Sequence, residues 1–325
     1  MPVVAQSSYK APLLCANAHV QTIIPTLFRK VSGVAYQRER IDTPDEDFID
    51  LDWSRVGSER LAVVMHGLEG DSGRPYMKGM VKALNRNGWD AVAVNFRGCS
   101  GEPNKKARMY HSGETEDLNS VICHVDASGI YRQVTLVGFS LGGNVILKYL
   151  GEKGKMTHLL IKAAVTISVP CDLKACSDRL DELQNLPYVR RFLRLLHEKI
   201  RAKALMMPDS INDVGYERIK TLKAFDDRYT APIHGFKDAD DYYDKASSRG
   251  FLATIPIPTL LINAADDPFL SSSCFPNEEA KASPHLFLDI PQHGGHVGFL
   301  AFNNSGEYWS ETRTTSFLET VVPRS

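Results

Sequence analysis

Short runs rich in Val, Ile, Leu and Ala recur along the chain, at Leu61 to Met65, Ala91 to Phe96, Val134 to Phe139, Leu160 to Ser168, Pro258 to Asn263 and His285 to Ile290. Runs this short and this apolar are the pattern of strands buried on both faces. Between the first three, apolar positions return at helical spacing, as Tyr76, Met80, Ala83 and Leu84, and again as Leu118, Val121, Ile122 and Val125. Strand and helix therefore alternate, which predicts an α/β fold: a mostly parallel, twisted sheet with helices on both faces. Ahead of this series, Val34 to Ile41 and Phe48 to Trp53 alternate polar with apolar residues on either side of Thr43-Pro44-Asp45. That pattern predicts an antiparallel hairpin at the sheet edge.

The alternation stops between Cys171 and Gly250, where helix-like stretches follow one another without a strand. We read residues 171–250 as a helical cap inserted into a core made of residues 1–170 and 251–325. Within the cap, Leu186, Val189, Phe192, Leu193, Leu196 and Ile200 share one helical face, while Arg190, Arg191, Arg194, Lys199, Arg201 and Lys203 occupy the rest. A solvated helix packed on the core fits this pattern. A basic amphipathic helix of this kind also suits weak association with a membrane surface through the cap.

Composition narrows the class. The 325 residues are 43% hydrophobic and 24% charged, which excludes a disordered or fibrous chain. The 38 basic residues balance 39 acidic ones, so nothing in the net charge points to a nucleic-acid partner. Six cysteines form no CxxC pair, and Cys171 and Cys176 lack zinc-ligand spacing, so they read as buried thiols. No metal site is expected from them. The start, MPVVAQSSYK, lacks the basic and apolar blocks of a secretory signal, and no run reaches the ~18 apolar residues of a membrane span. The expectation is a cytoplasmic protein with no transmembrane segment.

The chemistry begins at Gly138-Phe139-Ser140-Leu141-Gly142-Gly143, which follows the strand Val134 to Val137 and opens a helix-like run from Asn144 to Leu150. A strand, a sharp turn bearing serine between glycines, and a helix make a nucleophile elbow. The glycines are required because side chains flanking so tight a turn would collide. A serine hydroxyl is a weak nucleophile without a base, and that base needs an acid to orient it. Both types lie downstream, in Ala264-Ala265-Asp266-Asp267-Pro268 and in Gln292-His293-Gly294-Gly295-His296-Val297-Gly298-Phe299.

The order Ser, Asp, His is that of the α/β-hydrolase arrangement. Of the neighbouring candidates we choose Asp267, because the residue before proline is held extended, and His296, because the glycine pair before it permits close approach to the serine. Asp266 and His293 are the alternatives. A second motif, His66-Gly67-Leu68-Glu69-Gly70, follows the strand Leu61 to Met65 where this fold places an oxyanion-hole donor. The backbone N–H groups of Leu68 and Leu141 are then the expected donors to a developing oxyanion.

Three further groups read as structural. His66 suits a hydrogen-bonded scaffold residue, and Asn95-Phe96-Arg97-Gly98-Cys99-Ser100-Gly101 a glycine-rich turn anchored by arginine. His111, Glu114 and Asp117 invite a metal, but Ser112-Gly113 breaks the helical face, and the two acids fit the first turn of a helix from Thr115 to Ser128.

Taken together, the chain resembles the YheT-like family of α/β hydrolases, related to plant embryogenesis-associated proteins and yeast acyl-ethanol transferase/esterases. The resemblance covers nearly the whole chain. It is carried by Asn17-Ala18-His19-Val20-Gln21-Thr22-Ile23, HGLEG, NFRGCSGEPN, GFSLGGN, AADDPF and HGGHVGF, and by Phe225-Asp226-Asp227-Arg228-Tyr229-Thr230-Ala231-Pro232 in the cap. Ala18 departs from the family's usual proline. The resemblance implies an α/β-hydrolase fold and a cofactor-free charge relay at Ser140, Asp267 and His296. The expected function is a serine hydrolase of the carboxylesterase type, cleaving lipophilic short- to medium-chain acyl esters through an acyl-enzyme on Ser140. Acyl transfer to an alcohol with the same three residues, or a non-catalytic lipid-binding role at a membrane surface, are the alternative readings.

Overall fold

The computed structural model describes Val4, residues 6–13 and residues 15–323; of the N-terminal stretch read above for a signal, Met1 to Val3 and Ala5 lie outside them. Eight strands form one sheet: β1 (Gln37–Asp42), β2 (Phe48–Ser54), β3 (Arg60–Met65), β4 (Asp90–Asn95), β5 (Gln133–Phe139), β6 (Ile161–Ile167), β7 (Thr259–Ile262) and β8 (Leu286–Asp289). Their order is β1-β2-β4-β3-β5-β6-β7-β8. The β1–β2 and β2–β4 pairs are antiparallel and every later pair is parallel. The two-period segment forms the edge hairpin, with β1 starting at Gln37 rather than Val34.

The helices are α1 (Ala18–Phe28), α2 (Pro75–Arg86), α3 (Thr115–Ala127), α4 (Leu141–Lys153), α5 (Leu173–Leu180), α6 (Leu186–Met206), α7 (Leu222–Phe225), α8 (Ala231–Ile233), α9 (Ala239–Ala246), α10 (Asn277–Ala282) and α11 (Trp309–Val321). Because consecutive strand residues point to opposite faces, the sheet carries two cores. Leu61, Val63 and Leu136 pack with α3 and α4 on one side. Ala62, Val64 and Val137 pack with α2 and α11 on the other. No helix among the described residues is long and apolar enough to cross a membrane.

The hairpin adds a feature that its pattern did not address, and one expectation needs correction. The polar residues of β2 are not solvated: Asp50 and Asp52 are buried because Arg40 and Arg38 of the edge strand fold over them, at 2.7 and 2.8 Å. On α6, Arg190, Arg194 and Arg201 face outward as read, but Arg191, though exposed, also lines the cavity described below, and Lys199 and Lys203 turn inward. Lys199 Nζ reaches Glu69 Oε1 at 2.8 Å, and Lys203 Nζ donates to the Asn104 carbonyl at 2.8 Å. Long side chains can carry an ammonium from the flank of a helix to a buried acceptor, so these two tie α6 to the core.

Between β6 and β7 the described residues hold helices and turns only. Val189, Leu193, Leu196 and Ile200 of α6 form a small core with Tyr216, Phe225 and Tyr229, and this core also reaches Met109 and Phe269 of the sheet-bearing part.

Candidate active site

Ser140 sits between β5 and α4 with φ 51° and ψ −117°. A positive φ is costly for a residue with a side chain, and here it turns the hydroxyl out of the sheet plane. The neighbouring glycines are needed for contact rather than for torsion. A Cβ at Gly142 would lie 2.6 Å from the His66 carbonyl oxygen, and one at Gly138 would lie 2.7 Å from the Gly142 backbone. Bare glycines let the end of β3 press against the elbow, which brings the HGLEG loop beside Ser140.

His296, after β8, places Nε2 at 3.0 Å from Ser140 Oγ. Its Nδ1 donates to Asp267 Oδ2 at 2.8 Å. The buried Asp267 carboxylate also accepts the Phe269 N–H at 2.9 Å, which holds it in one orientation. With Nδ1 protonated toward the acid, Nε2 carries the lone pair that accepts the serine proton. Asp266 turns the other way: it accepts the Gly295 N–H at 2.9 Å and pairs with His293 at 3.2 Å. The structure thus brings Ser140, His296 and Asp267 together and leaves Asp266 and His293 outside the chain of contacts.

The loop after β3 is a tight turn in which the Gly70 N–H donates to the Gly67 carbonyl at 3.0 Å and Glu69 takes φ 54°. Tyr76 Oη accepts the Gly67 N–H at 3.0 Å. Among the described residues no acceptor engages the N–H of Leu68 or of Leu141. Two unpaired amides beside a serine are what an oxyanion hole requires.

His66 is not part of this chemistry. It is fully buried, its Nδ1 donates to the Gly67 carbonyl at 2.7 Å, and its Nε2 accepts the Phe96 N–H at 3.2 Å. Burial pushes its pKa down to about 3. A neutral imidazole with both nitrogens taken is a strut between two strand ends. Arg97 anchors its turn through Asp45, Asp47 and Asp117, while Glu114 caps α3 and pairs with Arg108 at 2.7 Å. These pairings use the acids in which a metal ligand set could be sought.

Several positioning residues escape the sequence patterns. Thr22 Oγ1 on α1 accepts the His296 N–H at 2.9 Å, and Gln21 Oε1 accepts the Leu300 N–H at 3.0 Å. Asn263 accepts the Val169 N–H at 2.7 Å and donates to the Cys274 carbonyl at 2.8 Å, fixing the loop that bears Asp267. The only sequence signal for α1 is its motif Asn17 to Ile23, which no periodicity explains.

Ser140, Leu68 and His296 open into a cavity of about 280 Å³. Its further wall comes from residues between β6 and β7, among them Leu180, Tyr188, Phe192 and Phe225. That space far exceeds the ~30 Å³ of one water molecule and is predominantly apolar. Such an arrangement can deprotonate a hydroxyl as it attacks a carbonyl carbon, and can hold the imidazolium that results.

Residues 63–301 match the family described as the alpha/beta hydrolase fold. The chain is 38% identical over 315 residues to the Escherichia coli (strain K12) protein named "Putative esterase YheT", covering 94% of this chain and 92% of that one. It is 32% identical over 309 residues to Phospholipase ABHD3 of Mus musculus, covering 92% and 74% of the two chains. Among solved structures, the Pyrococcus furiosus esterase Pf2001 superposes with a TM-score of 0.60 at 17% identity, over 90% of this chain and 98% of that one.

Proposed function

This chain belongs to the YheT-like branch of the α/β-hydrolase family, and from that premise we propose that it hydrolyses carboxylic esters through an acyl-enzyme on Ser140. The observation that carries this reading is the contact chain Ser140 Oγ to His296 Nε2 at 3.0 Å and His296 Nδ1 to Asp267 at 2.8 Å. Ser140 Oγ attacks the ester carbonyl carbon while its proton passes to His296 Nε2. The N–H groups of Leu68 and Leu141 receive the oxyanion. The alcohol then leaves with the proton from His296 and the acyl group stays on Ser140. Water attacks that acyl carbon, gives a proton to His296 and releases the acid, and the proton returns to Ser140 Oγ.

Residues 171–250 act in this reading as a cap whose apolar wall receives the acyl chain. Relatives named esterase and phospholipase support a lipophilic ester as substrate. A fluorophosphonate probe should label Ser140, and Ser140→Ala should lose both labelling and hydrolysis of p-nitrophenyl esters. An adduct on another serine, with Ser140 unmodified, would refute the assignment.

Chain length tests the cap. Each methylene buried in an apolar pocket is worth ~0.8 kcal/mol, so kcat/KM should climb several-fold per pair of carbons from acetate toward medium chains and then fall. A profile steepest at acetate would remove the cap from the acyl pocket.

The outward Arg190, Arg194 and Arg201 also support weak binding to an anionic membrane surface. Flotation with phosphatidylglycerol vesicles at low salt, abolished at high salt, is the expected result.

A further inference from the structure

The motif Phe225 to Pro232 forms part of the pocket wall, yet ester cleavage at Ser140 leaves it without a task. Its middle, Asp226–Thr230, is a five-residue π-helical turn closed by the Ala231 N–H on the Asp226 carbonyl. Widened turns of this kind recur at functional sites. Phe225, Asp226, Tyr229 and Thr230 all line the cavity that Ser140 opens into.

The wall holds two guanidinium groups, Arg74, which pairs with Asp71 at 3.1 Å, and Arg191, whose charged neighbours are Arg74 and Arg194, and two carboxylates that are treated differently. Glu69 is compensated by Lys199 Nζ at 2.8 Å. Asp226 receives only neutral hydroxyl donors, from Thr230 Oγ1 at 2.6 Å and from Tyr243 Oη at 2.7 Å. Lys223, the cation of the same segment, is held instead by Asp240 at 2.9 Å and Asp227 at 3.4 Å. The two histidines at this end, His111 and His234, are pushed below the ordinary histidine range by burial and supply no charge. Burial raises the Asp226 carboxyl to about 6 although the charge of Lys223 pulls it down, so near neutral pH it is still chiefly an anion on the cavity wall, and among the described residues no ion pair engages it.

A carboxylate has about four acceptor positions, and two of them remain open here. Asp226 is half-buried, and an unpaired charge in such a place gains from a partner that arrives. The carboxylate itself sets the sign of that partner, and the neighbouring Tyr229 and Tyr242 leave its open positions free because their hydroxyls bond elsewhere. Tyr229 Oη donates to the Asn212 carbonyl at 2.9 Å and Tyr242 Oη accepts the Ser112 N–H at 2.9 Å. Both tyrosines line the cavity, but the Tyr229 ring already carries the Arg228 guanidinium at 5.0 Å, so the open carboxylate rather than a ring face is the group that would meet a cation.

We propose that Asp226 is a specificity-determining residue that receives an ammonium group on the substrate, so that esters whose far end is cationic are preferred over neutral esters of the same shape. This rests on the reading of Ser140 as the nucleophile of an esterase. The test compares p-nitrophenyl ω-(trimethylammonio)alkanoates with their tert-butyl carbon isosteres over a range of spacer lengths, each rate divided by that of alkaline hydrolysis.

At the best spacer the wild-type protein should favour the cationic ester by roughly tenfold or more in kcat/KM, the scale of a charge-assisted contact. Asp226→Asn should bring the ratio down to about one or below, with fluorophosphonate labelling showing that Ser140 stays reactive. Should that variant fail to fold, the wild-type ratio decides alone. A wild-type ratio at or below one at every spacer, with Ser140 labelled normally, overturns the role of Asp226 and leaves the esterase reading intact. Absence of labelling in the wild-type protein overturns the esterase reading itself.

Discussion

Asp266 and Asp267 share a loop and a chemical type, and their surroundings separate them. The Asp267 carboxylate is enclosed and faces the histidine nitrogen opposite the serine. Asp266 holds the Gly295 amide and meets a histidine whose side chain is 48% exposed. Asp267→Asn should therefore lose on the order of 10⁴ in kcat, because the amide favours the wrong imidazole tautomer. Asp266→Asn removes only loop support and should lose less than about tenfold, the scale of one weakened hydrogen bond. Steady-state hydrolysis by both variants, each shown to be folded, checks the ranking, and the reverse order would move the role to Asp266.

The elbow is a property of two elements pressed together. Gly142 is the first-turn residue of α4, and its missing side chain is what admits the carbonyls of Met65 and His66 at the end of β3. Gly142→Ala must push those carbonyls away, although its backbone torsions need not change. Overpacking of this kind costs about 1–3 kcal/mol. Since the displaced strand end continues into the Leu68 turn, esterase activity should fall by more than the loss of folded protein explains. Urea unfolding alongside kcat measurements on the soluble variant tests this, and full activity at reduced stability would show that the turn moves independently of β3.

Across the whole molecule, Arg97 joins parts that the chain keeps far apart. Its guanidinium meets Asp45 and Asp47 at the hairpin turn and Asp117 on α3, at 2.8, 3.4 and 2.7 Å, with 2% of its side chain exposed. Removing a buried cation from such a cluster costs about 3–5 kcal/mol, so Arg97→Met should be strongly destabilised. Acid sensitivity should change as well. Burial by itself would raise the Asp45 carboxyl, but hydrogen bonds from Arg97 and Thr43 and the charge of Arg97 outweigh it and hold the pKa down to about 2. Stability from a lowered carboxyl is complete above the unfolded value near ~3.9 and is lost as pH falls through the folded one. Without Arg97 the folded Asp45 carboxyl moves up toward or past its unfolded value, so this acid-dependent contribution shrinks or reverses. Unfolding free energies followed by circular dichroism should show a gap between wild type and Arg97→Met that is widest at neutral pH and narrows in acid, and a gap that stays constant with pH would place the acid response elsewhere.

Local patterns sufficed for the parallel strands, the edge hairpin and the Ser, Asp, His order, since strand period, helix period and glycine-rich turns are written in consecutive residues. The elbow was legible for the same reason: Gly138 to Gly143 lies between a strand and a helix that can each be read alone. What a residue touches across the molecule leaves no such trace. Lys199 and Lys203 read as solvated charges and lie against Glu69 and Asn104, because a flexible stem reaches where periodicity does not point. Thr22 and Gln21 support the His296 loop from a helix some 270 residues earlier in the chain. The open carboxylate of Asp226 likewise exists only once α9 and the α7 to α8 turn close over the pocket. Secondary structure and candidate chemistry follow from short-range sterics and periodicity, whereas partners, charge compensation and burial follow from which distant surfaces meet.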